Sequence, residues 1–300
     1  MAVITRSAHP EALWPGIKAW FGKVYNQYPA EYSKVFEKDT SDKSYEKIVE
    51  TTGFGLAPVK NEGSGVAYDT DGQGVVTTLQ HVVYALGYIV TREELDDDLY
   101  KQVSETRSKA LAFSMNQTCE IVHANILNRQ QNSSYTGGDG VALVSNAHPT
   151  RAGNQSNLLT AADLSEAALE DAAKTVRKVT NARGLRIAVR PKRLIITTDD
   201  EFNAQRILKS ELRVGTTNND INAMKALGTF DEVMPLTFLT NNAQWFVQTD
   251  VPEGLMSLWR NEVELTKDQD FDTENAKAKA RMRFVAGWGD YRCIFGNAGV

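Results

Sequence analysis

From Thr91 to Arg129 the chain runs for almost forty residues without a proline or a glycine, as TREELDDDLYKQVSETRSKALAFSMNQTCEIVHANILNR. Leu95, Leu99, Val103, Thr106, Ala110, Phe113, Gln117, Ile121, Ala124 and Leu127 recur at intervals of three or four, which predicts one long helix with a single wet face. Thr91 and Glu94 have capping-box spacing, and Glu93, Glu94, Asp96, Asp97 and Asp98 place negative charge beside the positive end of the helix dipole. Gln130, Gln131, Asn132, Ser133 and Ser134 mark the stop. At about 1.5 Å per residue such a rod is roughly 55 to 60 Å long, so other parts of the chain must lie along it. A coiled coil is the alternative, but Thr106, Ala110, Gln117 and Ala124 in the seam do not make a self-sufficient coiled-coil core. The backbone helix of a mixed α+β domain fits better.

Residues 1–54 read as an arm. Trp14, Ile17, Trp20, Phe21, Val24, Tyr25 and Tyr28 fall three or four apart, with Pro10 and Pro15 at the start and Pro29 breaking the pattern, which is that of a short amphipathic helix, and Tyr32, Phe36, Tyr45 and Phe54 follow. Nine of the 26 aromatic residues thus lie in a segment too short to bury them itself, so they require a surface of the same chain or of a neighbour. Residues 55–90 are punctuated by glycines, with Asp71-Gly72 as a hairpin signal before the β-rich VVTTLQHVVYALGYIVT. This predicts a long two-stranded ribbon projecting from the body, marginal in water unless it lies on a partner. None of the glycine-rich pieces has phosphate-loop spacing.

Beyond the long helix, a polar loop with one short strand at 141–144 leads to a second helix opened by Asp163 and Glu166 and closed by Gly184. LRIAV and KRLIITT read as strands, the second buried on both faces, and Thr198 with Glu201 repeats the capping-box spacing ahead of another helix. INAMKALG is a short helix ending on Gly228, and DEVMPLTFL and QWFVQTD are strands. Helix, strand and helix alternate as in an α/β layer, which makes this region an insertion. The last segment gives a strand at 262–265, an acidic turn, and a strand with Met282, Phe284, Ala286 and Trp288 on one face and Arg281 and Arg283 on the other. A final strand continues through Tyr291, Cys293 and Phe295.

Chemistry-bearing constellations are missing from the pattern. His9, His81, His123 and His148 are scattered without metal-ligand spacing, Cys119 and Cys293 are too few for a disulfide framework or a zinc site, and GxSxG is absent. Asp96 to Asp98 point about 100° apart on a helix and cannot converge on one ion. No catalytic residue, metal site or cofactor is therefore expected, and the chain reads as no enzyme. A net charge of −5 gives no large basic field. No apolar run is long enough to span a membrane, and the N terminus lacks a secretory layout, which predicts a chain made in the cytosol.

This order of parts resembles the Hong Kong 97-type fold of tailed-bacteriophage major capsid proteins. The stretches WPGIKAWFGKVYNQYPAEYSKVFEKDTSDKSYEKIVETTGFGLAPVKNEG and RFVAGWGDYRCIFG look like the Mu-like major head subunit family, the T-protein family. The resemblance implies an N-arm at 1–54, an E-loop at 55–90, a P-domain at 91–160 and 256–300, and an inserted A-domain at 161–255. It implies hexamers and pentamers of an icosahedral head enclosing double-stranded DNA, touched by weak non-specific contact. Its implied partners are further copies of itself, a separate scaffold protein, a portal and a decoration protein, with no membrane. Assembly would take place in the host bacterial cytoplasm and the product would be the virion. Some relatives join subunits through a Lys and Asn isopeptide bond; Lys60 lies near the ribbon, but no acceptor or assisting acid is identifiable, so that chemistry is not expected. An encapsulin-like bacterial compartment shell and a soluble α/β enzyme using residues 161–255 are the alternatives. Deleting residues 1–28 is expected to leave soluble subunits that fail to form stable shells; intact particles from the truncated protein would show that the arm is no interface element.

Overall fold

The computed structural model describes residues 21–27, 29–91, 93–94, 100–213, 220–270, 273 and 275–299. Two four-stranded sheets organise them. The first contains β1 (Glu37–Thr40), β4 (Val82–Val90), β10 (Leu255–Gln269) and β11 (Ala276–Trp288) in the order β1-β10-β11-β4, with β1 parallel to β10 and the other pairs antiparallel. The long helix α2 (Tyr100–Asn128) lies on one face of this sheet. The alternation in β11 dictates which face: Ala278, Ala280, Met282 and Phe284 are buried, and the intervening basic residues point the other way. Leu111, Ala112, Met115 and Cys119 of α2 meet Ala280, Met282, Phe284 and Trp259 in one core cluster.

The helix is rotated relative to the expected seam. Its buried residues are Ser108, Leu111, Ala112, Met115, Cys119, Glu120, His123, Ala124 and Leu127, whereas Phe113 and Ile121 are each 43% exposed. Only Ala124 and Leu127 belong to both sets. Apolar periodicity mistook the phase because the buried stripe includes polar groups that find partners inside. His123 Nδ1 lies 2.7 Å from the Cys119 carbonyl, so it carries the proton, and Nε2 accepts from Ser257 Oγ at 2.7 Å. Trp259 Nε1 donates to the same Ser257 oxygen at 2.9 Å. Ahead of α2, the Glu94 amide donates to Thr91 Oγ1 at 3.4 Å, the contact that the capping-box spacing predicts. Leu95, Leu99 and Asp96 to Asp98 lie outside the described residues.

The second sheet contains β7 (Pro191–Thr197), β8 (Glu232–Leu236), β9 (Trp245–Thr249) and β12 (Ile294–Asn297), in the order β12-β9-β7-β8. Strand β7 is buried on both faces: Leu194 and Ile196 enter one cluster with Trp245 and Val247, and Ile195 enters another with Phe246 and Met234. Helix α3 (Glu166–Val176) covers the first of these, and α4 (Glu201–Lys209) with α5 (Ala223–Leu227) make the crossover to the parallel neighbour β8. Several local expectations are corrected. Ser165, not Asp163, caps α3, its Oγ accepting from the Ala168 amide, and α3 ends at Val176, well before Gly184. Thr198 gives α4 only a carbonyl, so the second capping box does not form. LRIAV forms a single bridge at Arg186 instead of a strand, and 141–144 is replaced by the hairpin β5 (His148–Thr150) and β6 (Gly153–Gln155). Helix α5 does end on Gly228, which is left-handed at φ 54°.

The chain end ties the two sheets together. After β11 it turns through a 3-10 turn, Tyr291–Cys293, and enters the second sheet as β12, so the last strand does not continue the first sheet. Asn157 donates to the carbonyls of Leu143 and Ile294 (2.7 and 3.0 Å), and its Oδ1 meets His148 Nε2 at 3.0 Å. His148 Nδ1 is 2.6 Å from Asp139 Oδ2, and its ring stacks on Tyr291 with centroids 3.8 Å apart.

The arm packs on its own chain where it is described. Phe21 and Tyr25 join the cluster under α2, and Val35 and Phe36, at the end of the one-turn α1 (Tyr32–Val35), join that of Leu127, Ile195 and Phe246. Glu120 of α2 accepts from the amides of Glu31 and Tyr32 (2.9 and 3.1 Å), and Glu31 in turn accepts from the Thr237 amide and hydroxyl. Trp14, Ile17, Trp20 and Tyr28 lie outside the described residues.

Burial holds His123 down at about 4 and pushes Glu120 up to about 7. The unfolded chain protonates His123 near 6.5, so this group's stabilisation is lost as pH falls from about 6.5 towards 4, while Glu120, near 4.5 when unfolded, acts in the opposite sense. Relative to the wild type, His123→Phe is expected to gain about 3 kcal/mol of unfolding free energy between pH 7 and pH 4. Urea titrations at both pH values check this; parallel pH dependence of the two proteins would count against a buried neutral imidazole.

Candidate assembly surfaces

The ribbon is built from β2 (Tyr45–Thr51) and β3 (Gln73–Gln80), antiparallel from Tyr45↔Gln80 to Thr51↔Gln73. Its first strand thus precedes the stretch that the glycine pattern marked; the alternation in YEKIVET was the available signal. Strand β3 passes through His81 into β4, so the ribbon grows out of the edge of the first sheet. Asp71-Gly72 is the neck of an open loop and not the hairpin turn. Asp71 Oδ1 accepts from the Gly53 and Gly72 amides at 2.8 Å each, and the Thr52 amide donates to the Gly72 carbonyl at 2.9 Å.

Beyond that neck, residues 52–72 carry apolar side chains into solvent. Tyr68 is 96% exposed, Val59 91% and Leu56 81%, with Phe54 and Val66 also exposed. So dense an apolar display on a loop without strands marks a contact surface. A second set, Phe202 on α4, Leu227 on α5 and Leu212 with Ile221 on the segment between them, is exposed on the crossover of the second sheet.

Two ionic contacts lay the ribbon against its own body. Arg183 Nη1 meets Asp69 Oδ2 at 2.7 Å and Arg183 also donates to the Thr70 carbonyl. The Gly55 and Thr70 amides, and then Arg183, hold the Asp69 carboxyl below its usual range. At the base, buried Arg292 reaches Glu50 of β2 at 2.9 Å and Asp290 at 3.1 Å, and donates to the Thr180 carbonyl. A cleft of about 600 Å³ opens between the ribbon base and the second sheet. Of its charged walls, Glu50, Asp290 and Arg292 serve one another, Asp139 meets His148, Asp250 accepts from the Arg190 amide, and Glu253 also lines it.

The histidines share no site: His81 is at the ribbon root, His123 under α2, His148 beside Tyr291, and His9 lies outside the described residues. Among the described residues no three His, Cys, Asp or Glu side chains cluster to hold a metal, and no helix is long and apolar enough to cross a membrane. Both cysteines are buried and free.

A family model described as phage capsid protein matches residues 74–297. No curated protein sequence matches the chain. Among solved structures, that of Mycobacterium phage Patience is similar with a TM-score of 0.54 at 9% identity, over 98% of this chain and 88% of that one. The virus-like particle from Pyrococcus furiosus gives 0.52 at 13% identity over 94% and 97%. The capsid of Myoviridae phage XM1 gives 0.51 at 10% identity over 87% and 89%.

Arg183→Ala is expected to free the loop: limited proteolysis within residues 52–72 should quicken, while global stability changes little because Asp69 is half exposed. Unchanged cleavage there would show that the contact does not restrain the loop.

Proposed function

Since this chain belongs to the phage capsid protein family, we propose that the exposed ribbon loop is one of the surfaces through which its copies close into hexamers and pentamers. It is a major capsid protein of a tailed phage with the Hong Kong 97-type fold, and its place is the virion. In that frame residues 1–54 serve as the N-arm, 55–90 as the E-loop, 91–160 with 256–300 as the P-domain and 161–255 as the A-domain. The pairing of β2 with β3, and of β12 with β9, supports counting β2 of the N-arm stretch with the E-loop ribbon and β12 with the A-domain sheet.

The observation that carries this reading is the loop of residues 52–72, whose apolar side chains have no cover in one copy. Burying them on neighbours supplies association free energy at every contact of a closed lattice, where modest interfaces add up. The role is structural. A separate scaffold protein and a portal are the partners expected during assembly in the host cytoplasm, with decoration protein and packaged double-stranded DNA as further contacts. The stretch RFVAGWGDYRCIFG supports a place among the Mu-like head subunits.

Electron microscopy of the purified protein, alone and co-expressed with a scaffold protein, is expected to show closed shells. Val59→Asp with Tyr68→Asp should leave folded subunits and abolish the shells. A wild-type chain that stays monomeric under both conditions would overturn the assignment, and shells from the double variant would remove the loop from the interface.

A further inference from the structure

The face of the first sheet turned away from α2 carries a row of cations. Lys277, Lys279, Arg281 and Arg283 occupy alternate positions of β11 and so project to one side, over a span of about 20 Å. Lys277 pairs with Asp270 at 2.5 Å. Among the described residues Lys279, Arg281 and Arg283 make no ion pair, although Glu264 stands opposite Arg281 in the strand register. Val83 and Ile89 of β4 flank the row and are exposed, as are Lys279 and Arg281 themselves, so the described chain leaves the middle of this face open.

The row ends at the ribbon root in buried donors without acceptors. His81 is 5% exposed and neither ring nitrogen has a partner, and Arg283 Nε is buried and likewise unpartnered. Arg260 lies exposed on β10 nearby, and Glu46 of β2 is the acid that faces the imidazole. Glu46 is already engaged by Ser41 and Lys43. Burial, then Arg283 and Arg260, hold His81 below its ordinary range, so it is a neutral ring offering one N–H into a positive field.

We propose that this face is the seat of a carboxylate-bearing surface of a second copy of the chain, with its acidic groups on Lys279 and Arg281 and on the partly exposed Arg283. The chain carries 38 acidic against 33 basic residues, so a basic face on one copy meets a predominantly acidic surface on the next. Engaged head to tail, with the basic face of one copy on an acidic patch of the next, the contact is heterologous, the type that generates rings. It rests on the shell-forming reading above and names a surface distinct from the loop.

The test uses the full-length protein. Lys279→Glu with Arg281→Glu alters two exposed side chains and should leave the thermal melting of the subunit unchanged, yet raise the concentration needed for shells about tenfold or more. The wild-type threshold should itself rise with added sodium chloride. In a second measurement, carbodiimide cross-linking of mixed ¹⁴N and ¹⁵N wild-type protein should give a mixed-isotope amide between Lys279 and an Asp or Glu of another copy. Shells from the variant at the wild-type threshold, or Lys279 amides confined to one chain, would overturn this contact and leave the shell assignment standing. A wild-type protein that forms no shells would overturn both. Loss of binding to a short DNA duplex in the variant, with its shell threshold unmoved, would assign the row to nucleic acid instead.

Discussion

The hydrogen bond between Ser257 and His123 sets the rotation of the long helix on the first sheet, and the rest of the molecule is laid against the helix so placed. With the imidazole held between the Cys119 carbonyl and the Ser257 hydroxyl, Leu111, Met115 and Cys119 face β10 and β11. The same rotation turns Glu120 towards the arm, where it holds the amides of Glu31 and Tyr32. It also directs Leu127 towards Phe246 and Ile195, which joins the helix to the second sheet. A helix turned by one residue, about 100°, would break all three sets of contacts together.

Much of this was legible in the residues, where one interaction dominates. Strand β7 reads as buried on both faces because Leu194, Ile195 and Ile196 leave no polar side to wet. Strand β11 reads correctly because small and apolar residues alternate with cations. The phase of α2 was not legible, since Ser108, Cys119 and His123 occupy the buried stripe and Phe113 and Ile121 do not. Apolar periodicity weighs hydrophobicity and is blind to a histidine whose two nitrogens will both be satisfied by distant residues. The ribbon failed in another way. Asp-Gly is the strongest local hairpin signal, but the Asp71 side chain closes a loop by holding an amide 18 residues earlier, a contact that no local window contains.

The surfaces that one copy leaves open fall into different chemical kinds. The ribbon loop is apolar and hinged on a few polar contacts, so it can bury area on whatever neighbour accepts its shape. Its tie to Arg183 ends on Asp69, which is half exposed, so the loop's side of the contact can be exchanged for a neighbour's surface. Arg292 is another matter. It is buried and shared between Glu50 and Asp290, so it anchors the ribbon base while the loop beyond the neck is free to re-dock. A firm root with a loosely held tip is what a connecting arm requires if shells of differing local curvature use one polypeptide.

Apolar contact alone does not choose among orientations, because greasy loops associate in any register that hides them. A row of like charges on one sheet face penalises every arrangement that brings two such faces together, by repulsion between Lys279, Arg281 and their counterparts. Face-to-face dimers are thereby disfavoured, while head-to-tail contacts that present an acidic surface to the row are retained. Closed rings demand that asymmetry, since a self-complementary interface stops at two subunits and a heterologous one continues until its rotation closes. The apolar loop then supplies the association energy and the uncovered cations supply its direction.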